Sequence, residues 1–204
     1  MASFMLADDK VCQRFGALGV GNLALNHKTH PRMLERRVVP ALLQVATSPD
    51  METRRVVAFA LNNMCSNPEN LVVCERLGVI RPLIALCDTD DFDTHVQAIV
   101  ALRHLALNAS NRNRIVEMDA LKPLVRLAEK DPSENGYLEL AREIAACLRN
   151  LSLSEDNKIT LLAAGVLAPL MRMMHSNDEE TSHQATGVIA NLAEVLENQG
   201  KVCQ

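Results

Sequence analysis

The chain has 204 residues, of which 48% are hydrophobic and 23% are charged, with 21 basic and 25 acidic side chains and a net charge of −4. This is the balance of a folded protein that buries roughly 70% of its unfolded surface, and it argues against a disordered tail or a nucleic-acid partner. No apolar run reaches the length of about 18 residues that a membrane-spanning helix needs, and no signal-peptide pattern is visible.

Similar segments recur along the chain, and the third residue of each defines what we call the ladder position. The ladder residues are Asn22, Asn63, His104, Asn150 and Asn191. The steps between them are 41, 41, 46 and 41 residues, and other columns of the sequence keep the same irregular steps. A shared period of this length predicts a stack of structural repeats.

In chain order, each period predicts three helices. The first is short, as in 71–77, and we expect it to be capped at its start by the column Thr29, Asn70, Asn111, Asn157 and Asn198. It should end at a left-handed turn in the column Arg37, Gly78, Asp119 and Gly165. Arg37 suits that conformation poorly, so a different turn is expected in the first repeat.

A second helix follows each turn, over 42–46, 83–86, 124–128 and 170–174. An acidic loop, expected to cap helices rather than to bind calcium, then leads into the longest helix, which ends at the ladder position. The five extra residues of the long step fall in the loop 130–136. In the third helix, the residues six and two before the ladder position and one after it share a face, which predicts that they point inward.

These elements predict one all-α domain over residues 1–204. Its ladder-to-ladder repeats are 23–63, 64–104, 105–150 and 151–191, with partial units at 1–22 and 192–204. A single repeat cannot enclose its apolar face, whereas stacked repeats can. The partial units predict open ends, which suggests a piece of a longer array or self-association through those ends.

The repeated pattern resembles the armadillo repeat, as in Gly165-Val-Leu-Ala-Pro-Leu170 and Cys147-Leu-Arg-Asn-Leu-Ser152. The resemblance covers essentially the whole chain and is greatest to generic armadillo scaffolds of the vacuolar-protein-8 type. It implies a right-handed α-solenoid of about four full three-helix repeats. It also implies a non-enzymatic protein–protein interaction scaffold that holds an extended peptide in a concave groove, with the ladder asparagines bonding the peptide backbone.

The ladder therefore supplies the first candidate site residues, Asn22, Asn63, His104, Asn150 and Asn191. An asparagine offers both a donor and an acceptor to a peptide backbone. The competing hypothesis is that these side chains only tie helices together. Because histidine titrates near neutral pH, His104 is expected to make binding sensitive to pH.

Two further columns of the third helix should face the groove. Four residues before the ladder stand Leu18, Phe59, Val100, Ala146 and Gly187, without the Trp that the importin-alpha kind of nuclear-import adaptor carries there. Eight residues before it stand Arg14, Arg55, Val96, Arg142 and His183. With Arg54, Arg103 and Arg149, these arginines predict a basic wall for an acidic peptide. The alternatives are an adaptor for basic signals, a structural spacer, and, for Arg54 and Arg103, a solvated helix flank.

Motifs of enzymes, cofactor sites and metal sites are missing from the sequence, so we expect no catalysis, no cofactor and no metal. The expected partner is a protein or peptide, with no nucleic acid and no direct membrane insertion. The six cysteines have no metal-site or disulfide-framework spacing, which predicts reduced, mostly buried thiols with Cys203 the most reactive. A cytoplasmic location is expected, with nuclear or membrane-recruited pools only through parts outside this chain.

Overall fold

The computed structural model describes residues 2–130 and 136–194, and all regular structure in these residues is helical. The all-α class expected from the sequence is confirmed. The helices form two compact units, Met1–Leu105 and Ala106–Gln204. The single domain over 1–204 stays a prediction.

Unit 1 contains two complete helix triplets, preceded by the second and third helices of another. Its helices are α1 (Ala2–Met5), α2 (Lys10–Ala24), α3 (His30–Glu35), α4 (Val38–Val45), α5 (Met51–Cys65), α6 (Leu71–Arg76), α7 (Ile80–Leu86) and α8 (Phe92–Leu105). Short 3₁₀ turns at His27–Thr29 and Pro68–Asn70 precede α3 and α6. The third helices α2, α5 and α8 pack successively against one another.

Unit 2 contains two complete triplets. Its helices are α9 (Ala109–Glu117), α10 (Leu121–Ala128), α11 (Tyr137–Ser152), α12 (Glu155–Ala163), α13 (Leu167–Met174) and α14 (Glu179–Ala193). The third helices α11 and α14 pack against each other. The second helices begin three or four residues before the predicted starts, because the residues after the left-handed turn are already helical.

A left-handed residue separates the first helix of each triplet from the second. Gly78 and Gly165 have φ angles of 85° and 84°, and Asp119 has a φ of 67°. Arg37 has the same conformation, with a φ of 54°, so the prediction of a different first turn is wrong. Arg37 adopts this turn between α3 and α4 although the conformation costs an L-residue about 1–2 kcal/mol.

Aspartates start four of the five third helices. The carboxylates of Asp9, Asp50, Asp91 and Asp178 accept hydrogen bonds from the backbone N–H three residues further on, at 2.8, 3.0, 3.0 and 2.9 Å. This satisfies one of the free N–H groups of the first helical turn. The capping role predicted for the acidic loops is confirmed at these residues, while α11 begins after Gly136, which has a φ of 83°.

The polar column expected to cap the first helices has another role, and this prediction was wrong. Thr29, Asn70 and Asn157 donate backwards to the end of the preceding third helix. Thr29 Oγ1 lies 2.7 Å from the carbonyl of Leu23, and the Asn70 and Asn157 amides lie 2.9 and 3.1 Å from the equivalent carbonyls. These side chains therefore satisfy carbonyls that the helix itself leaves without a partner. Asn198 lies outside the described residues.

Residues three positions before this polar column form the N-caps of the first helices. The side chains of Asn26, Asn67 and Asn108 accept hydrogen bonds from the backbone N–H two residues further on, at 3.1, 3.1 and 3.0 Å. Ser154 holds this position in the last triplet without a capping bond, and its hydroxyl donates to Asn113 Oδ1 at 2.6 Å instead. The column keeps the repeat's steps of 41, 41 and 46, so it was visible in the sequence.

The core includes most of the inward positions that the period predicts, although Ile189 is only half-buried. The residue after the ladder is fully buried in four repeats, as Met64, Leu105, Leu151 and Leu192, but Leu23 is 44% exposed. Phe4 is 58% exposed, whereas the equivalent Val45, Leu86, Leu127 and Met173 are at most 5% exposed. On the α1–α2 edge, by contrast, the described residues leave Leu23 and Phe4 uncovered.

The described cysteines are free thiols. Cys65, Cys74, Cys87 and Cys147 are buried, and Cys12 is half-buried. A hydrogen bond with Cys74, together with burial, raises the pKa of Cys65. The prediction for Cys203 lies outside the described residues.

Candidate functional site

The ladder residues occupy equivalent places near the ends of packed neighbouring helices within each unit. In unit 1, Asn63 Nδ2 on α5 donates to the carbonyl of Gly21 on α2 at 3.0 Å. In unit 2, Asn191 Nδ2 on α14 donates to Ser152 Oγ on α11 at 2.9 Å. Each bond joins a ladder side chain to the preceding third helix, so the ladder has a structural role in both units.

These bonds leave part of the asparagine amide groups unused. The Oδ1 atoms of Asn63 and Asn191 accept no hydrogen bond from the described residues, and Asn22 is exposed, with no side-chain hydrogen bond to them. The bond to the neighbouring helix fixes the orientation of the amide, while an acceptor and a second N–H remain. Such a side chain is pre-organised to bond a peptide backbone.

His104 is the exception in the ladder. Burial, with a smaller contribution from the charge of Arg103, lowers its pKa to about 4. The ring is therefore neutral around pH 7, and the prediction of a titration near neutrality is wrong. Its Nδ1 atom is buried without a hydrogen-bond partner among the described residues.

The arginines eight residues before the ladder are paired inside the fold. Arg55 bonds Asp91, and Arg142 Nη2 lies 2.7 Å from Asp178 Oδ1. Arg14 Nε lies 3.9 Å from Asp50 Oδ2. In every case the partner is the N-cap aspartate of the next third helix, 36 residues further on. Where the arginine is replaced by Val96, the aspartate is also replaced, by Tyr137.

Because of these ion pairs, the column eight residues before the ladder does not present the positive charge expected from the sequence. Arg55 also contacts Glu52 at 3.1 Å and Asp93 at 3.5 Å. The bond from Arg55 holds the pKa of Asp91 well below its usual range, and the bond from Arg142 does the same for Asp178. Arg55 is thus outnumbered by its acidic neighbours, so Arg55 and Arg142 do not provide the unpaired positive charge expected from the sequence.

The column four residues before the ladder contains one aromatic platform. Phe59 on α5 is half-buried and packs over Gly21 on α2, where a Cβ would lie 2.6 Å from the ring atom Cδ1. The glycine is therefore what lets the ring approach α2. The other side chains of this column are Leu18, Val100 and Ala146, with Gly187 in the last repeat.

A set of contacts that the sequence did not reveal links the residue before the ladder to the next helix. Asn62 Nδ2 donates to Gln97 Oε1 at 2.8 Å in unit 1, and Arg149 Nη1 donates to Gln184 Oε1 at 3.1 Å in unit 2. Arg103, which occupies the equivalent position just before the ladder residue His104, is half-buried. The sequence signal for these contacts was the recurrence of Gln at positions 97 and 184, each seven residues before a ladder residue.

Within ranges 2–130 and 136–194, no group of three or more His, Cys, Asp or Glu side chains is placed to hold a metal ion. None of the helices in those ranges is both long and apolar enough to cross a membrane.

Helix triplets separated by left-handed turns, with ladder side chains near the ends of the third helices, are the arrangement of the armadillo repeat fold. Residues 154–194 match the model of the Armadillo/beta-catenin-like repeat family. No curated protein sequence matches the chain.

Solved structures show the same fold over nearly the whole chain. Computationally designed armadillo repeat proteins for modular peptide recognition are 22% identical, with a TM-score of 0.90, over 98% of this chain and 84% of theirs. A designed armadillo repeat protein in complex with the peptide (KR)4 is 23% identical, with a TM-score of 0.86 and the same coverage. An engineered protein is 23% identical, with a TM-score of 0.87, over 99% of this chain and 84% of its own. The fold of the chain is the armadillo solenoid fold.

Proposed function

We propose that this chain is a non-enzymatic scaffold that binds an extended peptide segment of a partner protein along the ladder of each unit. The observation that carries the proposal is the hydrogen bonding and exposure of the ladder amides. Asn63 and Asn191 are oriented by bonds to the preceding helix and keep an acceptor without a partner among the described residues, and Asn22 is exposed. An extended chain needs such paired donors and acceptors at regular intervals.

The spacer hypothesis rests on the same bonds, because they tie neighbouring repeats together. A purely structural ladder would have no reason to leave Asn22 exposed and the Oδ1 atoms of Asn63 and Asn191 without a partner in the described ranges. The (KR)4 complex of a protein with the same fold adds support for peptide binding as a class of function.

A basic peptide is the second candidate ligand, and one column favours it. Eleven residues before the ladder stand Glu52, Asp93, Glu139 and Glu180, one per repeat and largely exposed. The absence of Trp from the chain weakens this candidate, because no indole is available to pack on lysine stems.

The test is a selection of random 12-residue peptides displayed on phage against the full chain. The affinity of the selected peptides is then measured by fluorescence anisotropy for the wild type and for the double variant Asn22→Ala, Asn191→Ala. We expect the double variant to bind about tenfold more weakly, because backbone hydrogen bonds are lost. Asn177→Ala, in the exposed loop before α14, is the matched control and should bind like the wild type.

Failure to select any peptide would contradict the proposal. So would peptides whose affinity is the same for the wild type and the ladder variant, because they would bind elsewhere on the chain.

A further inference from the structure

Arg149 differs from the arginines that pair with aspartates inside the fold. It lies on α11, next to the ladder residue Asn150, and it has no acidic partner among the described residues. Arg14, Arg55 and Arg142, by contrast, each contact the N-cap aspartate of the next repeat. A half-buried guanidinium loses part of its hydration, and here no carboxylate compensates for that loss.

The guanidinium is nevertheless held in one place. Nη1 donates to Gln184 Oε1 at 3.1 Å, and the Gln184 amide in turn donates through Nε2 to Glu180 Oε1. That second bond fixes the Gln184 amide with its oxygen towards Arg149. The position of the charge is therefore set by two residues of α14 and not by chance rotamers of a surface side chain.

Gly187 makes room for this arrangement. A Cβ at this position would lie 2.9 Å from Arg149 Nε and 3.2 Å from its Cδ, so only glycine lets the side chain approach α14 so closely. The neighbouring positions of the same helix faces are the small residues Ala146 and Ala190. Small residues beside a fixed cation leave space for a ligand side chain.

We propose that Arg149 is the specificity-determining residue of the unit 2 ladder, and that it selects an acidic side chain in the bound peptide. The inference rests on the proposed function, since it names the chemistry that the peptide must carry. A guanidinium with N–H groups still unused beyond the one bonded to Gln184 matches the two oxygens of a carboxylate. The ladder residues Asn150 and Asn191 would hold the backbone on either side of that residue.

The experiment is the displayed 12-residue library, selected in parallel against the wild-type chain and against Arg149→Gln. We expect Asp or Glu to be enriched at one position of the wild-type peptides, and this enrichment to disappear with Arg149→Gln. The selected acidic peptides should bind Arg149→Gln about tenfold more weakly, because a charge-assisted hydrogen bond is lost. Arg172→Gln, on the second helix α13, is the matched control and should keep the enrichment.

A second variant, at Gly187, keeps the charge of Arg149 but shifts its position. Gly187→Ala should displace Arg149 and weaken acidic peptides while leaving the thermal stability largely unchanged, so loss of folding is excluded as the cause. Wild-type peptides without acidic enrichment, or enriched in Lys and Arg, would overturn the inference. An enrichment that survives Arg149→Gln but disappears with Arg142→Gln would also overturn it. None of these results affects the proposed function, which fails if no peptide is selected or if binding is independent of the ladder.

Discussion

Arg55 and Asp91 form a two-point ion pair between successive third helices. Nε of Arg55 lies 3.0 Å from Oδ2 of Asp91, and Nη2 bonds Oδ1. The same carboxylate caps α8 through the N–H and hydroxyl of Thr94. One aspartate therefore starts a helix and attaches it to the preceding repeat, and Asp178 does the same with Arg142 and Thr181.

We expect Arg55 and Asp91 to be energetically coupled. In a double-mutant cycle with Arg55→Gln and Asp91→Asn, measured by urea denaturation, the coupling should be about 1 kcal/mol. Asparagine keeps an acceptor for the Thr94 N–H, so the cycle reports the charge pair and not the cap. The control cycle is the exposed pair Arg114–Glu117, 3.4 Å apart, which should couple by less than about 0.5 kcal/mol. Equal coupling in the two cycles would refute a special role for the inter-repeat pair.

His104 should make the stability of the protein depend on pH between about 6.5 and 4. Its pKa falls from 6.5 to about 4 on folding, so the unfolded chain binds the proton first as the pH drops. Stability is therefore complete above about pH 6.5 and declines as the pH falls towards 4, by about 2 kcal/mol after allowance for partial exposure.

The check is the unfolding free energy across this pH range for the wild type and for His104→Asn. The variant, which carries the residue of the other ladder positions, should show a flatter profile. His175→Asn, in an exposed loop, should follow the wild type. Asp91 acts in a different window, because its lowered pKa confines its loss of stability to pH values below about 3.8. Parallel profiles for the wild type and His104→Asn would contradict this prediction.

Replacing Arg37 by glycine should stabilise the chain. Arg37 has a φ of 54°, a conformation that glycine adopts without steric cost. We expect Arg37→Gly to raise the unfolding free energy by about 1 kcal/mol. The reverse change at the equivalent turn, Gly78→Ala, should lower it by a similar amount. No heavy atom lies within 4 Å of a Cβ at Gly78, so this comparison isolates the backbone. A destabilised Arg37→Gly would show that the side chain compensates the strain.

Gly21→Ala should be destabilising although alanine is the better helix former. The added Cβ would lie 2.6 Å from Phe59 Cδ1, so either the ring or α2 has to shift. We expect a loss of about 1–2 kcal/mol in thermal unfolding. In a Phe59→Ala background the same change should instead stabilise by about 0.5–1 kcal/mol, because only the helix propensity remains. The same sign in both backgrounds would exclude the ring contact as the cause.

The sequence predicted the helix triplets because the inward positions and the left-handed turns recur at fixed steps. It did not predict which way polar side chains bond. Asn70 could cap the helix after it or satisfy the carbonyls of the helix before it, and only the packed structure decides between the two. The internal pairing of Arg55 was detectable in principle, since Arg and Asp recur 36 residues apart. The environment of His104 was not, because the depression of its pKa comes from burial.

The exposed Leu23 and Phe4 mark the edge at which we expect unit 1 to open first. The equivalent positions of later repeats are buried, whereas among the described residues α1 and α2 pack against neighbours on one side and leave Leu23 and Phe4 exposed. The hydrogens of their backbone amides should therefore exchange with solvent ahead of those in α5, through sub-global opening that leaves the adjoining layer intact. A partner that docked against this edge would slow the exchange, so hydrogen exchange would detect such a partner before its identity is known.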